Sequence, residues 1–204
     1  MKSQESFKRL PADKRRAVTV QAVIGLAAEH NPAEITTTAI AERMHMTQGA
    51  LFRHFPTKDA IWQEVMEWVA EQILARVDTA MLAAKSPLAA LQAVFMAHVD
   101  FVIKHPGVPR ILFGELQRSD DSPAKRAVRT LLHLYNERLR TLIEQGKAQG
   151  VLFSEGDTAA SASLLIGLLQ GLVMQSLLDG KSGNLRTKAA KVFAIYLRGI
   201  RRTP

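Results

Sequence analysis

The chain has 204 residues, 47% hydrophobic and 23% charged, with a formal net charge of +8 and a pI near 10.0. That length suits one long domain or two small ones, and a basic balance suits an anionic partner, either nucleic acid or an anionic membrane surface. The absence of cysteine excludes disulfides, thiolate metal sites and a cysteine nucleophile.

The N-terminal stretch MKSQESFKRLPADKRR has no apolar h-region, so no secretory signal is expected and the cytoplasm is the default location. Its basic residues Lys8, Arg9, Lys14, Arg15 and Arg16 form a lead-in that either grips a DNA backbone or stays free. Pro11 and Asp13 are start signals for a first helix to about His30, with Val20, Val23, Ile24 and Ala27 on one face; Asn31-Pro32 stops it. Thr36 or Thr37 then caps a short helix whose Ile40, Ala41 and Met44 face inward. After a break at His45-Met46, Thr47 caps a helix predicted to end at Phe55, because Pro56 disfavours helical geometry in the residue before it. Thr57 caps the next helix, which runs to about Ala84 with Asp59 in its first turn.

Further helices are predicted over Leu88–Lys104 behind Pro87, Val108–Gln117, Pro123 to about Gln149, Thr158–Leu178 and about Leu185–Arg201. Period-two alternation is scarce, so the fold class is all-α, with about nine helices and no internal repeat.

Helix, short turn, helix over Thr36–Phe55 is the plan in which the second helix enters a DNA major groove. The residue types suit that task. Gln48 and Arg53 can make bidentate hydrogen bonds to base edges. Thr37 and Thr47 stand at helix N-termini and can bond phosphate oxygens. Gly49 and Ala50 are small enough for close backbone approach, Lys58 offers a point charge, and His54 can donate to phosphate. Leu51 and Phe55 read as core, whereas Phe52 divides evenly between core and groove, and Arg53 has a plain alternative as a solvated charge.

ITTTAIAERMHMTQGALFRHFPTKDAI, residues 35–61, resembles the DNA-binding domain of the TetR/AcrR family of transcriptional regulators. The likeness lies in the threonines before Ile40-Ala41, the small residues after the turn, an aromatic followed by x-His-Phe, and Lys58-Asp59. It covers about the first sixty residues; the later helices match in number and length only. The resemblance implies a helix-turn-helix domain at residues 1–57 and an effector-binding and dimerisation domain at 58–204. It implies a homodimer on a palindromic double-stranded operator and a small-molecule effector. By position it implies backbone contacts at Thr37, Thr47, Phe52, His54 and Lys58, and groups near base edges at Thr38, Gln48, Gly49 and Arg53. Two positions depart from the pattern. Phe52 stands where the family often has tyrosine, so a phenol-to-phosphate bond is missing. His45 stands where the turn often has glycine, and histidine tolerates the left-handed region at some cost.

Thr158–Leu178 has no charge over about twenty residues, enough to span a bilayer, and contains Gly167-x-x-x-Gly171. Against a span stand Ser161, Ser163, Gln170, Gln175 and Ser176. A dimer interface buries such a helix equally well, and the resemblance implies one from the last two helices, with Gly167, Gly171, Gln175 and Leu178 in it. Trp62, Met66, Phe95, His98, Phe101, Phe113, Tyr135, Gln170 and Met174 are candidates for an apolar pocket, with Glu115 as a polar anchor; each has core packing, or for Glu115 a salt bridge, as its plainer explanation. His98 and His105 are seven apart, unsuited to a helical zinc pair, and no metal or cofactor is expected. No nucleophile–base spacing, phosphate loop or dinucleotide fingerprint appears, so no enzyme is expected. The function expected is a ligand-responsive, sequence-specific DNA-binding repressor released by a small hydrophobic effector. An activator of the same family and a membrane-associated helical protein are the alternatives.

Overall fold

The computed structural model describes residues 11–180 and 184–202, with the side chains of residues 12 and 13 left aside. Lys8 and Arg9 of the basic lead-in therefore lie outside the described residues. Nine α-helices stand among those described: α1 Ala12–Glu29, α2 Thr37–Arg43, α3 Gln48–Phe52, α4 Lys58–Ala83, α5 Pro87–Lys104, α6 Gly107–Gln117, α7 Pro123–Ala148, α8 Thr158–Asp179 and α9 Leu185–Ile200. Among the described residues the only extended pairing is an isolated bridge between Leu152 and Arg201. The chain is all-α, as its periodicity predicts.

Most helix ends fall within a residue or two of the predicted ones, and local chemistry explains them. Thr36, Thr47 and Asp157 each accept a backbone N–H three residues on and so cap α2, α3 and α8. Asn31-Pro32 opens a 3-10 turn, Pro32–Glu34, in which the Asn31 side chain accepts from Ala33 N. The larger difference is α3, which ends at Phe52 rather than Phe55. Residues 53 and 54 continue as a turn, with His54 N and Phe55 N both donating to Leu51 O.

The chain forms two compact units: residues 1–71 with 105–130, and residues 72–104 with 131–204. The expected domain boundary after Thr57 falls inside the first unit. In that unit α1 packs on α6 and α2, and α2 on α3. Gly107 makes the α1–α6 approach possible: a Cβ there would stand 2.0 Å from Ile24 O and 2.9 Å from Ala28 N. Val20, Val23, Ile24 and Ala27 of α1 are buried, as their spacing predicts, with Ile61, Val65 and Val69 of α4.

In the second unit α5, α8 and α9 pack together. Phe95 of α5 meets Phe193 of α9 at 5.3 Å between ring centroids. Tyr196 Oη donates to Ser161 O at 3.0 Å and ties α9 to α8. Arg138 forks onto Asp78 at 2.6 and 3.0 Å, and Arg186 onto Asp100 at 2.7 and 3.2 Å.

Candidate nucleic-acid interface

Two short helices and one turn present the candidate DNA-contacting side chains, and their own inner faces fix them in place. Ile40 and Ala41 of α2, Ala50 and Leu51 of α3, and Phe55 after it are all buried. The turn between the helices closes through His45 N to Glu42 O and Met46 N to Ala41 O, both at 2.9 Å. His45 sits at φ 53°, the left-handed conformation that the family's usual glycine would take there. The departure at this position thus keeps the turn, at a cost on the order of 1 kcal/mol.

Outward from this base the polar groups line up. Thr38, Thr47, Gln48, Gly49, Arg53 and His54 are exposed, Thr37 is half-buried, and nothing lies within 4 Å of where a Gly49 Cβ would stand. Phe52 is 39% exposed, so it belongs to the outer face rather than the core. Gln48 Nε2 donates to Thr37 Oγ1 at 2.7 Å, joining α3 to α2 across the turn. The Arg43 guanidinium forks onto Glu29 at 3.1 and 2.5 Å and brackets α2 against the end of α1. That pairing holds the Glu29 carboxyl below its ordinary range.

Positive charge gathers around this face. Partial burial pushes the His54 imidazole down from its ordinary value, and the charges of Arg15 and Arg53 add to it. Arg15 belongs to the part of the basic lead-in that the structure describes, so α1 adds a cation to this face. Lys58 is more committed than its position at a helix start suggests. It is half-buried, with its ammonium 5.3 Å from the Trp62 ring centroid. Burial and Arg118 lower its pKa, opposed by Asp59 and Glu115.

The ten pocket candidates do not gather in one unit. Trp62, Met66, Phe113 and Glu115 belong to the first; Phe95, His98, Phe101, Tyr135, Gln170 and Met174 belong to the second. Trp62 and Met66 are buried core residues. Glu115, 2% exposed, accepts from Ser122 Oγ at 2.7 Å and lies 3.8 Å from Arg118. Ser122 Oγ in turn accepts from Lys125 N and caps α7, so Glu115 is bound into the α6–α7 connection. In the second unit Phe95, Phe101 and Tyr135 are buried, whereas Gln170 and Met174 are exposed. Those two share the open face of α8 with Gly167, Gln175 and Leu178, with half-buried Gly171 at its edge.

Sequence reasoning missed the Gln48–Thr37 bond, the Arg43–Glu29 bracket and an open groove of about 430 Å³ in the first unit, lined by Gln63, Glu67, Glu71, Pro123, Arg126 and Thr130. No spacing in the sequence gives a signal for the groove. The two side-chain pairs depend on how helices cross and carry none.

Residues 20–65 match the family described as "Bacterial regulatory proteins, tetR family", and residues 84–174 match "Tetracyclin repressor-like, C-terminal domain". Among curated proteins, the nucleoid occlusion factor SlmA of Alteromonas mediterranea is 26% identical over 159 residues, 78% of this chain and 82% of that protein. Among solved structures, the fatty acid degradation regulator FadR of Bacillus halodurans has a TM-score of 0.83 at 18% identity, covering 96% of this chain and 99% of that one. FadR of Bacillus subtilis, in complex with stearoyl-CoA, has a TM-score of 0.80 at 16% identity, covering 90% and 98%. Two family matches spanning both halves, on a fold with a helix-turn-helix near its N-terminus, agree: the chain belongs to the TetR family of bacterial transcriptional regulators.

Proposed function

We propose that this regulator is a cytoplasmic homodimer that represses transcription from a palindromic operator and is released by a small hydrophobic effector. The observation that carries the reading is the exposed face of α2 and α3, where Thr37, Thr38, Thr47, Gln48, Gly49, Phe52, Arg53 and His54 point away from a buried base. Gln48 and Arg53 read base edges with Thr38 and Gly49 beside them, and Thr37, Thr47, His54 and Lys58 hold phosphates. Residues 1–57 supply the reading head. The chain from 58 onward supplies effector binding, through Phe95, His98, Phe101 and Tyr135, and dimerisation. An effector releases DNA only if it binds the DNA-incompetent conformation better, and α4, which belongs to both units, is the element we assign to carry that change.

Dimerisation is supported by α8. Both α5 and α8 are long and apolar enough to cross a membrane, but only 28% of the α8 window is buried, against 44% for α5. The open side of α8 carries Leu164 and Leu178, 53% and 79% exposed, with Gly167 between them. On α9, Ile195 is 61% exposed. An apolar face of this kind supports the reading of an interface between two copies. The membrane-associated alternative draws on the same helix, and it requires detergent to keep the protein in solution.

The deciding experiment is selection of bound sequences from random duplexes at near-physiological salt. An enriched palindrome supports a dimeric specific regulator. Retention without enrichment leaves only charge-driven association and sinks the reading. Transcription from the enriched site, with and without the protein, separates repressor from activator.

A further inference from the structure

One polar atom inside the second unit is unaccounted for. Nδ1 of His98 is buried and has no hydrogen-bond partner among the described residues. A buried nitrogen left in this state costs about 1–3 kcal/mol, and in native proteins such groups are rare enough to call for a cause. His98 lies on α5, and its neighbours three and four residues away, Val94, Phe95, Phe101 and Val102, are all buried. Its ring meets Tyr135 of α7 edge-on, with centroids 5.5 Å apart.

The electrostatic surroundings are equally plain. His98 is half-buried as a residue, but its Nδ1 is enclosed, and burial holds the imidazole down near 4 and pushes the Tyr135 phenol up. Arg76 stands 5.2 Å from the Phe101 ring centroid and donates to Gln72 O and Oε1 at 2.7 and 2.9 Å.

We propose that His98 Nδ1 is the polar anchor of the effector, and that the effector is an uncharged, largely apolar molecule presenting a hydroxyl group to it. This rests on the reading that the second unit carries effector binding, and it goes further by naming the chemical class. Neutral imidazole has one donor and one acceptor nitrogen, and a hydroxyl is both, so it satisfies Nδ1 in either tautomer. A carboxylate or an ammonium would have to shed its hydration to enter among these apolar side chains, which is far more costly than burying a hydroxyl that finds its partner. The buried apolar side chains one turn away on α5 favour an apolar body over a polar one. A site built to hydrogen-bond a hydroxyl also rejects the analogue lacking it, because Nδ1 is then left unpaired.

The test uses the full-length protein and four matched probe series: primary alkanols, 1-chloroalkanes, alkyl carboxylates and alkylammonium ions with chains of about six to twelve carbons. The readouts are the Tm shift and the release of a selected operator. Alkanols are expected to raise Tm and release DNA at concentrations at least tenfold below the other three series. His98→Leu is expected to keep or raise the ligand-free Tm while losing the alkanol preference, since it removes an unpaired polar atom. His98→Gln, which offers both donor and acceptor, is expected to keep a weakened preference. Three outcomes each overturn the proposal: no alkanol raises Tm, in which case a bound water serves Nδ1; charged probes match the alkanols; or both variants lose ligand-free stability, which makes His98 a packing residue. Failure of operator selection in the wild type sinks the regulator reading instead and leaves the thermal-shift result standing.

Discussion

Gln48 Nε2 donates to Thr37 Oγ1 at 2.7 Å, so the first residue of α3 is tied to the first residue of α2. The bond fixes where the Gln48 amide points before any DNA arrives. With Nε2 engaged, Oε1 and the second amide hydrogen remain for a base edge. A side chain held in place loses less rotamer freedom on binding than one that must be ordered at that moment.

We predict that Gln48→Ala lowers discrimination at one base pair of each half-site by about 1–3 kcal/mol. Thr37→Val, which removes the acceptor and keeps the shape, should weaken discrimination at the same base pair by less. Competition between the operator and its singly substituted variants measures both. An equal loss of affinity for every sequence would show that Gln48 contacts only the backbone.

Arg53 and Lys58 should separate by salt. Arg53→Ala is expected to relax base preference, whereas Lys58→Ala should weaken binding to all duplexes and lower the salt slope by about one. The Lys58 ammonium also lies over Trp62, so its loss should cost roughly 0.5–1 kcal/mol of stability. A salt slope unchanged in Lys58→Ala would mean that Trp62 and not phosphate is its partner.

Much of the frame is legible in the sequence because short-range chemistry decides it. Thr47 and Thr57 read as caps and cap, Thr36 takes the role left open between it and Thr37, and the buried stripe of α1 follows its spacing. The turn is legible even against the family pattern: His45 takes the left-handed conformation that glycine would otherwise supply. The proposed effector site is not legible, because an aromatic at helical spacing looks the same whether it is core, as Trp62 is, or lies beside an unpaired polar atom, as Tyr135 does. Nor does the sequence divide α8 into sides. Without a charge, nothing in its residues distinguishes buried Leu165 and Leu169 from exposed Leu164 and Met174.

Gly107 should be intolerant of any side chain. A Cβ there would meet the backbone of α1 at 2.0 Å, and backbone cannot swing aside as a flexible side chain would. Gly107→Ala is expected to cost about 1–3 kcal/mol through forced displacement, lowering Tm by about 2–4 °C per kcal/mol for a chain of this size. Gly49→Ala, with nothing within 4 Å, is the control and should leave Tm unchanged while affecting DNA binding. Equal thermal effects of the two would refute the close-approach account.

The open face of α8 gives a test of assembly that leaves the fold alone. Leu164 and Leu178 are exposed in the single chain, so replacing both with lysine removes no core contact. The double variant should sediment as a monomer without detergent, keep its helical signal, and lose most of its operator affinity because two half-sites are no longer engaged together. A variant that stays dimeric places the interface elsewhere.

His98 gives the stability of the protein a pH dependence whose sign can be worked out. Its folded pKa lies near 4, below the ordinary 6.5, so between those values the unfolded chain binds the proton that the folded chain refuses. Stability therefore rises with pH across this window and is lost as pH falls from about 6.5 towards 4, by up to about 3 kcal/mol. Asp100, two residues along α5, is exposed and forked to Arg186, so its pairing belongs to the outer side of that helix and persists in a His98 variant. His98→Leu should flatten the Tm-against-pH curve between pH 4 and pH 6.5 and leave it unchanged above pH 7. An unaltered slope would mean that His98 takes up its proton without unfolding the unit, and that its Nδ1 is reached by water.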